Sequence, residues 1–243
     1  MIRRNPKLDQ PSLLSNGAAI GLCLNYFLGF LVVYPMLGMI FTDIFSNHDG
    51  LLSPFWGYMI LLVTIVITLL LGWPLFIEER DIKISKKTLT KEILINYGFM
   101  YLAMLVANPL IALLTDTDQS QNQSAIAEAI RSDALFVILS AVVMAPIVEE
   151  IVFRGVLYRK LRKHNRYVFA ILMSVITFGF MHIFQSVFEG NVVDYPYIII
   201  YMILGLFFVR IYEETGKLSS AIWLHVLNNV IGITAILITL HIL

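Results

Sequence analysis

Charge is what this sequence has least of. Asp, Glu, Lys and Arg make up 14% of its 243 residues, against 58% hydrophobic residues. A soluble domain carries roughly 25% charged residues. So much apolar surface does not fit inside one aqueous core, and lipid is the other solvent that accepts it. Cysteine is scarcer still. The single Cys23 excludes a disulfide within the chain and a zinc knuckle. Set in an apolar run, it reads as a small buried residue. Linkers, low-complexity tracts and a soluble domain are also missing, so residues 1–243 read as one membrane domain. Its partners are the bilayer and a membrane-associated peptide or protein; no nucleic acid is expected, and oligomeric state is not legible.

What is present is a series of long apolar runs. Seven are long enough to span a bilayer, which takes roughly 17–25 helical residues: 18–42, 55–77, 92–114, 134–157, 167–188, 195–212 and 218–241. Breaking the last would make an eighth. The first run is far longer than the roughly 7–15 residues of a signal-peptide core and reads as a retained transmembrane helix. The polar stretch 115–133 holds Ser124–Ser132 (SAIAEAIRS), a candidate interfacial helix. The expected fold is therefore all-α: a polytopic bundle of about seven spans.

Basic residues set the orientation, because cytoplasmic loops collect Lys and Arg. Of the 17, all but Arg131 fall on the N-terminus and alternate loops. They include Arg3, Arg4 and Lys7, then Arg80 to Lys91, then Arg154 to Arg166, then Arg210 and Lys217. The N-terminus is thus expected inside, in a bacterial plasma membrane.

Titratable groups inside a bilayer are costly and mark functional sites. Here they are Glu149, Glu150 and Arg154 on the fourth span, His182 on the fifth and His225 on the seventh. Residues four apart share a helix face, so Glu150 lies over Arg154 as an expected ion pair. Glu149 points elsewhere, free for chemistry. Glu149 and His182 stand 16 and 17 residues either side of Asn165, the expected hairpin tip. They are therefore level, and about 10–15 Å below the cytoplasmic surface if the basic stretch before the tip stands in the cytosol. His225, nine residues past Gly216, falls near the same depth, roughly 13 Å. Asn229 lies one turn beyond His225, and Phe178 one turn before His182. Glu213 and Glu214, at a helix end, read as solvated; His48 and His164 fall in loops.

These residues form three motifs. Glu149-Glu150-Ile151-Val152-Phe153-Arg154 fits EExxxR, Phe178-Gly179-Phe180-Met181-His182 fits FxxxH, and His225-Val226-Leu227-Asn228-Asn229 fits HxxxN. In this order, on separate spans, they resemble the CPBP family, also called the CAAX protease or Abi family, whose best-known members are type II CAAX prenyl endopeptidases. The resemblance covers about residues 130–232; residues 1–129 resemble the family only in being hydrophobic. It implies an intramembrane glutamic endopeptidase needing no cofactor. Glu149 matches the catalytic base and His182 the residue that helps hold water. His225 and Asn229 match the oxyanion donors, Glu150 and Arg154 the supporting pair, and Phe178 the start of the FxxxH motif. A carboxylate that loses its hydration becomes a stronger base, so the chemistry suits a membrane site. The expected cleavage is of membrane-associated peptides, from the cytoplasmic side, in peptide maturation or bacteriocin immunity. Two other readings stay open. Glu149, His182 and His225 could hold a catalytic zinc with an open position. Intramembrane Glu and His also build proton relays, so a non-catalytic chaperone, immunity factor or transporter is the other.

Overall fold

The structure is a computed structural model, and it describes residues 2, 4–46, 54–162 and 166–242. Arg3, His48, Lys163, His164 and the expected hairpin tip at Asn165 lie outside the described residues. A short 3-10 turn, Pro6–Asp9, precedes α1 (Asn16–Ile44), α2 (Pro54–Asp81), α3 (Lys86–Thr115), α4 (Gln121–Leu161), α5 (Tyr167–His182), α6 (Phe184–Glu189), α7 (Val192–Thr215) and α8 (Leu218–Leu240). The described residues contain helices and no strand. Serines start three of the helices: Ser15, Ser85 and Ser120 accept from the backbone N–H three residues on, satisfying donors that a first turn leaves orphaned. Gly216, at φ +74°, ends α7 in the left-handed conformation, which costs glycine nothing.

Six of these helices are long and apolar enough to cross a membrane, and α5 is a shorter apolar one. The chain is a multi-pass helical membrane protein. Its lipid-facing surface is apolar: Leu70, Leu113 and Leu114 are each more than 70% exposed, an arrangement that only a hydrocarbon surround tolerates at this density.

Two of the expected spans differ in the structure, and the last keeps its expected form. The fifth, expected at 167–188, stops at His182: Ile183 leaves helical geometry (φ −108°, ψ 7°) and α6 follows. The seventh is continuous, with no break that makes an eighth. The fourth is longer than 134–157, because the expected interfacial helix runs directly into it. Asp133 marks the junction with non-helical φ −151°, ψ 85°. Its Oδ1 accepts from the Phe136 N–H at 2.9 Å and Tyr58 Oη donates to the same carboxylate at 2.9 Å. Asp133 therefore caps 134–161 internally, as an N-cap does, and 121–132 is set off from it.

Buried polar clamps join the helices. Asn25 of α1 donates to Thr68 Oγ1 (3.0 Å) and Thr64 O (3.1 Å) of α2, and accepts from Tyr34 Oη (2.7 Å). At the basic end the N-terminal segment is tied across the helix termini. Glu213 accepts from Asn5 N (2.6 Å), Tyr158 Oη and Arg162; Arg162 also reaches Asp9 and Asn5 O, and Arg159 donates to Leu8 O. Glu213, expected solvated, is 1% exposed. The sequence pattern puts it at a helix end but carries no sign that the N-terminus covers that end.

Candidate active site

The three polar spans are brought together by α7. It packs most extensively against α5 and also against α3 and α8. Gly205 of α7 permits a close approach: a Cβ there would lie 3.2 Å from Arg154 Nη2 and 3.3 Å from Phe178. The missing side chain leaves the Gly205 carbonyl open to accept from Arg154 Nη2 at 3.1 Å. The helix carrying Glu149 and Glu150 widens to π geometry at Leu139–Met144 and again at Ile151–Tyr158; such bulges often occur at functional sites.

Glu150 and Arg154, both fully buried, pair at 3.1 Å as the four-residue spacing predicts. The arrangement goes further than a pair. His225 Nδ1 lies 3.0 Å from the same Glu150 Oε1, so α4 and α8 are joined through one carboxylate. The Arg154 guanidinium lies over the Phe178 and Phe208 rings, 4.3 Å and 5.2 Å from their centroids. A buried charge needs such partners, and here a carboxylate, a carbonyl and two ring faces supply them.

Glu149 diverges from this knot. Its Oε2 is 3.9 Å from His182 Nε2 and has no hydrogen-bond partner among the described residues. His182 Nδ1 lies 2.9 Å from Phe178 O. A carbonyl only accepts, so Nδ1 carries the proton and Nε2 turns a lone pair toward Glu149. Tyr201 stacks on the His182 ring (centroids 4.3 Å, 23°) and Phe208 on His225 (4.5 Å, 18°), fixing both imidazoles. Asn229 Nδ2 donates to Ala141 O at 2.7 Å, and Asn228 donates to Asn229 Oδ1 at 3.1 Å.

Glu149, His182, His225, Asn228 and Asn229 all line one cavity of about 310 Å³. Glu150 and Arg154 lie behind its wall, and Phe178 forms part of it. Tyr26, Asn122, Ser140 and Tyr201 line it too, and sequence reasoning misses them. Tyr26 sits in an apolar run and Asn122 in a polar loop, so neither breaks its local pattern. Asn228 stands beside the expected Asn229 and differs from it only in helix phase. No group of three His, Cys, Asp or Glu side chains among the described residues is arranged to hold a metal; the His225 nitrogen nearest the carboxylates is already engaged by Glu150.

In the basic stretch before the hairpin tip, α4 stays helical to Leu161, and Arg159 and Arg162 are buried under the N-terminal segment, 8% and 4% exposed. His182 is the last residue of α5, about 22 Å along it from Tyr167.

Comparison with known proteins bears on the same segment. A "Putative membrane peptidase YdiL" of Bacillus subtilis (strain 168) is 30% identical over 111 residues, 46% of this chain and 41% of that protein. The match thus spans less than half the length of that relative. "UPF0177 protein YvdC" of Lactococcus lactis subsp. lactis (strain IL1403) is 23% identical over 213 residues, 86% of this chain and 76% of that protein. No solved structure matches the chain significantly. Residues 131–231, which hold all three motifs and every side chain of the Glu149–His182–His225–Asn229 constellation, match the family described as "Type II CAAX prenyl endopeptidase Rce1-like".

Proposed function

We propose that the protein is an intramembrane endopeptidase in which Glu149 activates water against a peptide carbonyl. The observation that carries this reading is the pairing of a Glu149 oxygen without a hydrogen-bond partner with a His182 nitrogen 3.9 Å away. That separation is too long for a direct hydrogen bond and suits one bridging water. Both groups are acceptors in this tautomer, so both protons of the water are directed into the wall and an oxygen lone pair faces the cavity.

Chemistry then follows from proton bookkeeping. The water oxygen bonds to the carbonyl carbon as Glu149 takes one of its protons. The carbonyl oxygen gains the electron pair and becomes an oxyanion. His225, whose Nδ1 is held by the Glu150 carboxylate, donates to it through Nε2. Asn229, whose amide has a second proton besides the one given to Ala141, is the other donor. The C–N bond breaks when Glu149 returns its proton to the leaving amine. Substrates are membrane-associated peptides or proteins; the CAAX label supports the enzyme class and leaves prenylation of the substrate unassigned.

The test is cleavage by purified protein in detergent or liposomes, using peptides that accumulate in cells carrying Glu149→Ala and disappear with wild type. Full function in Glu149→Ala, His182→Ala and His225→Ala alike would sink the protease reading and favour a non-catalytic role.

A further inference from the structure

The site has an entrance, and its position bears on what the protein cuts. A second cavity of about 340 Å³ adjoins the first, and the two share Asn122, Met181 and His182. Together they run past His182, one on each side of it. Both lie toward the end of the bundle formed by 121–132, the C-terminus of α5 and α6. From mid-helix Glu149 and His225 the lining proceeds to Asn122, Gln123 and Ile236 on one side, and to Phe184 and Gln185 on the other. The opposite, basic end is closed. Behind Glu149 stands the buried knot of Glu150, Arg154, Phe178 and Phe208. Beyond that, Tyr158, Arg162 and Glu213 are roofed by Asn5 and Asp9 of the N-terminal segment.

The lining is also selective in charge. Apart from Glu149 and the two histidines, the described residues around both cavities are apolar or uncharged. Amides and hydroxyls such as Asn122, Gln123, Ser140, Gln185 and Asn228 suit the N–H and C=O groups of an extended backbone. Glu149 and the histidines apart, no charged side chain in the lining offers itself to a Lys, Arg, Asp or Glu, whose burial without a partner is costly.

We infer that an extended, uncharged peptide segment reaches Glu149 from the basic-poor face of the bundle, threading past His182 from one cavity into the other. With the basic end cytoplasmic by the positive-inside rule, that face is the outer one, so the substrate is presented from the outer leaflet. This rests on the protease reading for its catalytic consequence, and its test separates the two. In the full-length Cys23→Ser background, single thiols are placed in the cavity (Asn228→Cys, with Ser140→Cys as the second position) and at the basic end (Lys87→Cys). Intact cells are treated with a membrane-impermeant maleimide. The cavity thiols label in intact cells, and Lys87→Cys labels only after permeabilisation. A cavity thiol reached only after permeabilisation, or not at all, overturns the inference. Peptidomics of wild type against Glu149→Ala supplies the second measurement: cut sites fall in uncharged stretches on the outer side. Cuts in cytoplasmic segments overturn the entry route and leave the protease reading standing; outside labelling with no cleavage of any peptide does the reverse.

Discussion

His225 and Arg154 meet on a single oxygen of Glu150: Nδ1 of one at 3.0 Å, Nη1 of the other at 3.1 Å. This carboxylate therefore has two duties, balancing a buried cation and orienting an imidazole from another helix. Glu150→Ala leaves the guanidinium without its partner, and breaking a buried pair costs about 3–5 kcal/mol. Thermal unfolding in detergent will show that loss. Glu150→Gln keeps much of the shape but replaces the carboxylate that holds His225 Nδ1 in place, so cleavage falls more than stability does.

Glu149 behaves in the opposite way. Its Oε2 has no hydrogen-bond partner among the described residues, so little native-state bonding is lost when the charge is removed. Glu149→Gln lowers cleavage by about 10²–10⁴-fold, the range for loss of a general base, while the unfolding temperature stays level or rises. A large drop in stability would assign Glu149 a structural role instead.

Asn229→Ala removes an oxyanion donor, a change worth about 2.7–4 kcal/mol, or 10²–10³ in kcat. Steady-state kinetics on a cleaved peptide will find the loss in kcat with KM nearly unchanged. It also frees the Ala141 carbonyl, so Asn229→Ser, which retains a shorter donor, recovers part of the activity if the polar group matters more than the volume.

Asp9 gives the N-terminal roof a pH dependence. Burial raises its pKa, but hydrogen bonds and charge from Arg4 and Arg162 outweigh this and hold it below the ordinary 3.8. A group depressed in the folded state contributes stability above its unfolded pKa and loses it as pH falls through the folded one. Hydrogen-exchange protection in residues 4–14, taken relative to the unfolded chain at each pH, will thus stay constant from neutral pH down to the ordinary carboxylate range and fall only below it. Asp9 is largely solvent-accessible, so global stability moves little.

Zinc catalysis and glutamate catalysis separate on chelation. With Glu149 and His182 acting on water alone, activity survives exhaustive chelation in metal-free buffer. Loss restored only by added zinc would reassign Glu149, His182 and His225 as ligands.

Hydropathy and helix phase make the membrane class, most of the spans and the Glu150–Arg154 pair legible in the amino-acid sequence. These rest on local periodicity, which a single sequence carries. Tyr26, Asn122 and Tyr201 are not legible there, because each joins the cavity through packing between helices far apart in the chain. The burial of the basic stretch escapes sequence reading for a related reason. Arg159 and Arg162 look like solvated loop residues until Leu8, Asn5 and Glu213 supply partners from remote parts of the chain. The break at Ile183 carries no proline or glycine, and sequence punctuation gives no warning of it.

The tie between Asn5 and Glu213 spans 208 positions. Residues near the start of synthesis thus wait for a partner made near its close. Until α7 is inserted, the first segment has no acceptor for the Asn5 amide, and Arg162 holds only part of its bonds. Docking of this segment is therefore a late event in biogenesis, after nearly all the helices have entered the bilayer. A chain truncated before Glu213 would be released with its leading residues held by Arg159 and Arg162 but without the Glu213 tie, a looser roof by which quality-control proteases could recognise an unfinished molecule.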